Sequence, residues 1–169
     1  FNSGHFGEVF WFNRENWYEK LKGKKILIIS SHCKTMEKQW FSNNLFKSHN
    51  KHIHCSDTGI ELSFVKPPMS ACKNTPHSSW IESLACFKQD VDNKLKNFDL
   101  DIVIVSCGGY SSSICNHIHK KYNKSVIYVG GSLQLYFSIL GNRWKISDST
   151  DKYQFDTNRY WVKLDPSQV

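Results

Sequence analysis

Two glycine pairs are the residues whose type and spacing most readily support chemistry. Gly108–Gly109 follows the apolar run DIVIVS and precedes Tyr110 and three serines, and Gly130–Gly131 follows SVIYV and precedes Ser132. A glycine pair between a strand and a helix lets backbone N–H groups approach an anion, whose charge the helix N-terminus favours. For one pair alone, a tight turn is the commoner explanation. Because two pairs occur at successive strand ends, both followed by serines, a nucleotide or phosphate site is about as well supported as a pair of tight turns.

A third strand end carries polar residues as well, because KKILIIS is followed directly by Ser31 and His32. In an open parallel sheet, ligands bind beyond the carboxyl ends of the strands. The sequence contains no GxGxxG fingerprint and no GxxxxGK[ST] motif, so dinucleotide-binding and P-loop NTPase interpretations lose support. It also contains no GxSxG motif, and no cysteine context indicates an activated nucleophile.

Histidines and acids offer weaker candidates. His52 and His54 share one face of a short strand predicted at HIHCS, but two side chains without a third ligand favour an exposed polar strand over a metal site. His117 and His119 lie about 200° apart on a predicted helix and cannot chelate one ion together. Glu82 is a candidate catalytic acid, although its place in a predicted capping box gives it a complete structural role.

The elements that must position these residues alternate between strands and helices. KKILIIS (24–30), DIVIVS (101–106) and SVIYVGG (125–131) are apolar on both faces, as strands buried between helices are, and GIELSFV (59–65) predicts another strand. Helical patterns separate them at TMEKQWFSNNLF, from Ser79 to about Asn97, and through Ile114 to Tyr122, and a short helix at NWYEKLKG is ended by Gly23. SLQLYFSIL follows the last strand, up to a break at Gly141. The alternation predicts right-handed βαβ units and a Rossmann-like three-layer α/β domain with a mainly parallel sheet.

The length of 169 residues predicts one domain, with an aromatic N-terminal arm (1–24), a core (25–145) and a polar, aromatic tail without clear period (146–169). No apolar run approaches the roughly 20 residues of a membrane-spanning helix, and the N-terminus lacks the features of a signal peptide. The chain has no initiator Met, which is consistent with a fragment of a longer protein. The six cysteines form no CxxC pair, and a reduced, cytoplasmic protein is expected.

The formal net charge of +7 raises the question of nucleic-acid binding. The basic residues are spread along the chain, with short clusters only at KGKK (22–25) and HKKYNK (119–124). Nucleic-acid-binding domains usually concentrate such residues on one face. A solvated basic surface is therefore favoured over a nucleic-acid site.

The stretch DIVIVSCGGYSSSICNHIHKKYNKSVIYVGGSLQLYFSILGNRW resembles a segment of bacterial polysaccharide-biosynthesis proteins with a GT-D-type glycosyltransferase fold. In that family the run reads approximately as a strand, GAGAYG, a helix and GGALQLLFGIKGKRW. Gly108, Gly109 and Tyr110 match the first motif, whose final glycine is a serine here. The second motif is matched by Gly130, Gly131, Leu133, Gln134, Leu135, Phe137, Ile139, Gly141, Arg143 and Trp144. Further similar segments, among them NWYEKLKGKKILIIS and SSWIESL, extend the resemblance over nearly all of residues 8 to 169.

The resemblance implies a glycosyltransferase domain that uses a nucleotide-sugar donor and a glycan acceptor in surface polysaccharide synthesis. The glycine turns would hold the diphosphate, and Glu8 and Glu82 are the acids to test. The remaining candidate binding residues are Ser31, His32, Tyr110, Ser132, Gln134, Asn142, Arg143 and Trp144. For Arg143, a grip on phosphate and a surface ion pair are about equally supported.

The family's Asp-x-Glu motif implies a Mg²⁺ or Mn²⁺ ion. HFGEVF resembles a degenerate copy of this motif, in which only the acid Glu8 is kept. Glu8 matches a later stretch of the family better, and in that alignment the metal motif lies upstream of this chain. The metal ligands in this chain are therefore unknown. Two alternatives stay open, a non-catalytic nucleotide-sugar-binding or scaffold module of the same fold and nucleic-acid binding through the basic surface.

Overall fold

A four-stranded parallel sheet organises the protein. The computed structural model describes residues 17–48, 51–70, 75–141 and 159–164. Its strands are β1 (Lys25–Ser30), β2 (Glu61–Val65), β3 (Ile102–Ser106) and β4 (Ser125–Tyr128), in the order β2-β1-β3-β4 with every neighbouring pair parallel. Helices connect and flank the strands, which confirms the predicted Rossmann-like α/β fold.

Six α-helices lie in the described part of the chain. They are α1 (Trp17–Lys20), α2 (Cys33–Phe41), α3 (Asn44–Ser48), α4 (Trp80–Asn97), α5 (Ser111–Tyr122) and α6 (Leu133–Tyr136). The long α4 begins where the sequence predicts, because the Ser79 hydroxyl accepts the backbone N–H of Glu82 at 3.1 Å. Gly23 ends the first helical turn with φ +71°, also as predicted.

The core has two layers, one on each face of the sheet, as alternation along a strand requires. Ile26 and Ile28 of β1 pack with α2 and α3 on one face, whereas Leu27 and Ile29 pack with α4 and α5 on the other. All four side chains are fully buried, which confirms that β1 lies between helices.

The structure corrects three predicted elements. Strand β4 ends at Tyr128 rather than at residue 131. It is one of the two edge strands of the sheet, and its Ile127 and Tyr128 are exposed. HIHCS forms no strand, since residues 51–54 have no regular structure and Cys55–Thr58 is a 3-10 helix. The predicted helix at 35–46 is divided at Asn43, whose φ of 59° interrupts the helical backbone.

A small second sheet joins two segments that are distant in sequence. β5 (Ile139–Leu140) pairs in parallel with β6 (Val162–Lys163), which lies in the tail for which the sequence gives no element. The buried Gln39 of α2 fixes both segments, because its side-chain amide donates to the carbonyls of Phe137 at 3.2 Å and Tyr160 at 2.9 Å. In the described residues no helix is long and apolar enough to cross a membrane.

Candidate functional site

The strand order creates a crevice between β1 and β3. From β1 the chain crosses over to β2 on one side, whereas β3 and β4 lie on the other. Such a switch in direction is where open α/β sheets bind ligands, outside the carboxyl ends of the strands. Ser30 pairs in register with Ser106, so the residues after β1 and after β3 emerge side by side at this carboxyl end of the sheet.

The turn after β3 exposes bare backbone at the crevice. Gly108 has φ +55°, and Gly108–Tyr110 forms a single 3-10 turn that leads into α5. A Cβ atom added to Gly108 or Gly109 would meet nothing within 4 Å. Below the turn, the backbone N–H of Cys107 donates to the buried Ser111 hydroxyl at 3.3 Å. The turn is therefore held from beneath and open above, as an anion-binding turn must be.

The second glycine turn lies beside the first. The backbone N–H of Val129 donates to the carbonyl of Val105 at 3.0 Å, which brings Gly130–Ser132 to the carboxyl end of the sheet. Gly130 has φ +65°, and a Cβ atom added to it would lie 3.4 Å from the Tyr128 hydroxyl. This turn is more crowded than the turn after β3. Gly131 and Ser132 are half-buried within it.

Gln134, a candidate binding residue, lies close to Gly141. Its side-chain amide oxygen lies 2.6 Å from the position that a Cβ atom on Gly141 would take. That oxygen is buried and has no hydrogen-bond partner within the described part of the chain. The structure thus packs Gln134 against Gly141, at the start of the segment that follows β5.

Cationic and polar groups line the β1 side of the crevice. Ser31 and His32 are half-buried at the start of α2, and the backbone N–H of His32 donates to the Ser30 hydroxyl at 3.3 Å. Partial burial lowers the pKa of His32, and the positive charge of Lys66 lowers it further. His32 is consequently neutral near pH 7, and Lys66, directly after β2, supplies a positive charge.

The first turn of α4 closes the crevice on its other side. The indole of Trp80 stacks on the ring of Tyr110, with ring centroids 5.5 Å apart and planes 11° from parallel. Tyr110 is buried, its hydroxyl is hydrogen-bonded to the Ser70 hydroxyl, and Phe87 meets its ring edge-on. The N-terminus of α4 is thereby fixed to the turn after β3.

Glu82 lies in the same helical turn and is engaged with Ser78. Its carboxylate accepts the Ser78 hydroxyl at 2.5 Å and the Ser78 backbone N–H at 3.1 Å. These hydrogen bonds lower the pKa of Glu82, chiefly the bond from the hydroxyl. The exposed carboxylate is therefore ionised at neutral pH. It caps the start of α4, which is the structural role that the predicted capping box gives it. The donor to the carboxylate is Ser78 instead of the predicted Ser79.

The two cysteines at the strand ends are not nucleophiles. Burial raises the pKa of both Cys33 and Cys107 to about 11. The Cys33 thiol also donates to the carbonyls of Ser30 at 2.7 Å and Val65 at 3.0 Å. Both residues stay as neutral thiols that pack below the crevice, as the sequence predicts.

The described residues supply no metal centre. No group of three or more His, Cys, Asp or Glu side chains in this part of the chain is arranged to hold an ion. His54 caps the 3-10 helix by accepting the Ser56 backbone N–H, so the paired histidines of a strand do not occur. The Nε2 atom of His117 lies 2.7 Å from the carboxylate of Asp92. Glu8, Asn142, Arg143 and Trp144 lie outside the described residues.

Three residues of the crevice are missing from the sequence-based candidates: Lys66, Trp80 and Tyr128. The signal for Lys66 and Trp80 is present in the sequence, because a residue that follows a strand, or that opens the next helix of a βαβ unit, lies at the carboxyl end of the sheet. Tyr128 depends on β4 being the outer strand, which the apolar run 125–131 does not reveal.

Comparisons with protein-family models, with curated proteins and with solved structures find no match to this chain. Its function must therefore be argued from the geometry of the crevice and from the motifs that line it. The fold itself is fixed by the strand order and register.

Proposed function

We propose that the chain binds a nucleotide-sugar at the carboxyl end of the sheet and acts as the donor-binding domain of a glycosyltransferase in surface glycan synthesis. One observation carries the proposal. The register of β1 and β3 sets the open Gly108–Gly109 turn beside Ser31 and His32 at the switch point of the sheet.

A diphosphate suits this crevice because its charge and its size match the groups present. The backbone N–H groups of the glycine turns can approach its oxygens without a side chain in between. Lys66 adds a full positive charge across the crevice, and the neutral His32 can donate one hydrogen bond. The same groups serve the reaction. The sugar C1–O bond to the diphosphate breaks as C1 bonds to the acceptor oxygen, and the proton of the acceptor hydroxyl passes to solvent. The leaving diphosphate then gains negative charge, which the N–H groups and Lys66 stabilise.

The described residues of the crevice do not form a ligand set for the divalent ion that the motif resemblance implies. The action proposed for this part of the chain is to bind and orient the donor and to stabilise the leaving group.

The basic clusters argue against the nucleic-acid alternative. KGKK and HKKYNK both lie at the amino end of the sheet, opposite the crevice, and acids are interleaved with them. The ion pairs are Lys24–Asp101 at 3.3 Å, Lys25–Glu61 at 4.0 Å, Lys121–Asp92 at 2.6 Å and Lys124–Asp99 at 3.3 Å. Acids interleaved in this way offset the positive charge of these two described clusters, which a phosphate backbone would need as a continuous face.

A thermal-shift screen followed by a transfer assay tests the proposal. Uridine, guanosine and thymidine diphosphates and their sugars are added to the full chain with and without Mn²⁺. A ligand present at about 100 times its Kd should stabilise the native state by about 2.7 kcal/mol. Binding followed by release of nucleoside diphosphate from a sugar donor supports a transferase. Binding without turnover supports the non-catalytic module, and the absence of any shift overturns the nucleotide-sugar proposal.

A further inference from the structure

An exposed apolar patch lies next to the open glycine turn. Trp80 is 46% exposed and Ile81 is 75% exposed, although both stand in the first turn of a long helix at the carboxyl end of the sheet. Large apolar side chains that stay in contact with water cost solvation free energy, and grouped at a crevice they mark a ligand surface. Both residues lie in SSWIESL, a segment of the motif resemblance for which the sequence suggests no binding role.

The Trp80 ring is held rigidly with respect to the turn. It lies flat on Tyr110, which is only 6% exposed and whose hydroxyl is bonded to Ser70. Phe87 also packs edge-on against Tyr110, with ring centroids 5.7 Å apart and planes at 77°. Because Tyr110 directly follows Gly109, the stack places the Trp80 indole next to the backbone of the Gly108–Gly109 turn. Tyr110 covers one indole face, so the 46% of Trp80 that stays exposed lies along its edges and on its other face.

We propose that the open face of Trp80 stacks on the nucleobase of the donor, so that base and diphosphate are bound at opposite ends of the same turn. This inference rests on the proposed function and names the group that gives the site its preference for nucleotides. A planar base continues the stack of two nearly parallel rings as a third ring.

The surroundings favour a base over a sugar at this position. A sugar ring needs several hydrogen-bond partners for its hydroxyls. Beside Trp80 lie the apolar Ile81 and the hydroxyls of Ser78 and Ser79, which are already hydrogen-bonded to Glu82. The carboxylate of Glu82 is already engaged by Ser78. Polar groups that suit a sugar lie instead on the β1 side of the crevice, at Ser31 and His32.

The test measures the affinity of uridine, guanosine and thymidine diphosphates, and of their sugars, for the wild-type chain and for Trp80→Ala, Trp80→Phe and Phe41→Ala. Phe41 is the matched control, because it is 64% exposed at the end of α2, away from the crevice. Base stacking predicts a roughly ten- to hundredfold loss of affinity for the free diphosphates in Trp80→Ala. Trp80→Phe should retain most of the affinity, and Phe41→Ala all of it. Tryptophan fluorescence should be quenched by the nucleotide in the wild type and much less in Trp80→Phe.

The outcomes separate this inference from the function on which it rests. Equal affinity of the free diphosphates for the wild type and a folded Trp80→Ala variant overturns the stacking inference and leaves the proposed function standing. A loss confined to the nucleotide-sugars, with the free diphosphates unaffected, assigns Trp80 to the sugar and also overturns it. If no diphosphate binds the wild type, both proposals fail together.

Discussion

Ser30 and Ser106 occupy the last positions of β1 and β3 and are paired in register. Because these parallel strands end at the same level, the residues that follow them lie side by side at one edge of the sheet. His32 therefore lies beside the Gly108–Gly109 turn, although some 75 residues separate them in sequence. A one-residue shift of register would turn the buried isoleucines of β1 to the other face, so the core holds the crevice in place.

The first prediction concerns the buried sheet. Ile104 is 6% exposed on β3, so Ile104→Asp places an unpaired carboxylate in the core. We expect the free energy of unfolding to fall by several kcal/mol, or folding to fail outright. Urea denaturation followed by circular dichroism measures the change.

Ile127 provides the matched control for that substitution. It pairs in register with Ile104 but is 44% exposed on the outer strand β4. Ile127→Asp should cost about 1 kcal/mol. Equal losses at the two positions would contradict the placement of β4 at the outside of the sheet.

The second prediction concerns pH and the carboxylate that joins α4 to α5. Partial burial of Asp92 would raise its pKa, but hydrogen bonds from Lys121, Tyr122 and His117 outweigh it and lower the pKa from 3.8 to about 2. A depressed carboxyl pKa contributes stability that is present above the unfolded value and is lost as pH falls from about 4 to 2.

Asp92→Asn should therefore cost about 1–2 kcal/mol at pH 7, and the difference from wild type should narrow steadily below pH 4. Asp99→Asn is the control, because the Asp99 side chain is 93% exposed and its ion pair with Lys124 is open to solvent. Unfolding curves between pH 7 and pH 2 decide the matter. A pH-independent difference for Asp92→Asn would show that the carboxylate charge plays no part.

The third prediction concerns the cysteines. The described cysteines 33, 55, 86, 107 and 115 are free, and Cys72 lies outside the described residues. Thiol titration of the denatured chain without reductant should find six free thiols. In the native state Cys33 and Cys107 should react slowest, because burial raises the pKa of each to about 11. Four or fewer thiols after denaturation would overturn the expectation of a reduced protein.

Periodicity and local signals predict the elements that depend on neighbours in sequence. The β1 run and the start of α4 at Ser79 are of this kind, because an apolar run and a capping serine act within a few residues. Sequence does not predict contacts set by tertiary order. The exposure of Tyr128 follows from the position of β4 in the sheet, and the pairing of β5 with β6 depends on the buried amide of Gln39.

The candidate site follows the same division. The glycine turns could be named from the sequence, because a strand end and a helix start bracket them. The sequence also carries the signal that Lys66 and Trp80 lie at the carboxyl end of the sheet. Their places around the crevice depend in addition on β2 lying next to β1 and on Trp80 stacking on Tyr110.

The affinity of a nucleoside diphosphate for Gly109→Val tests the central claim most directly. The structure leaves open space for a side chain at Gly109, so this variant should unfold within about 1 kcal/mol of wild type. A branched side chain would nevertheless cover the backbone that the diphosphate must reach. Ser125→Val, exposed at the amino end of β4, is the matched control. Calorimetric titration with the diphosphate that binds best should show at least a tenfold loss of affinity for Gly109→Val and none for Ser125→Val. Full affinity in a folded Gly109→Val variant would contradict the account, because the ligand would then bind elsewhere.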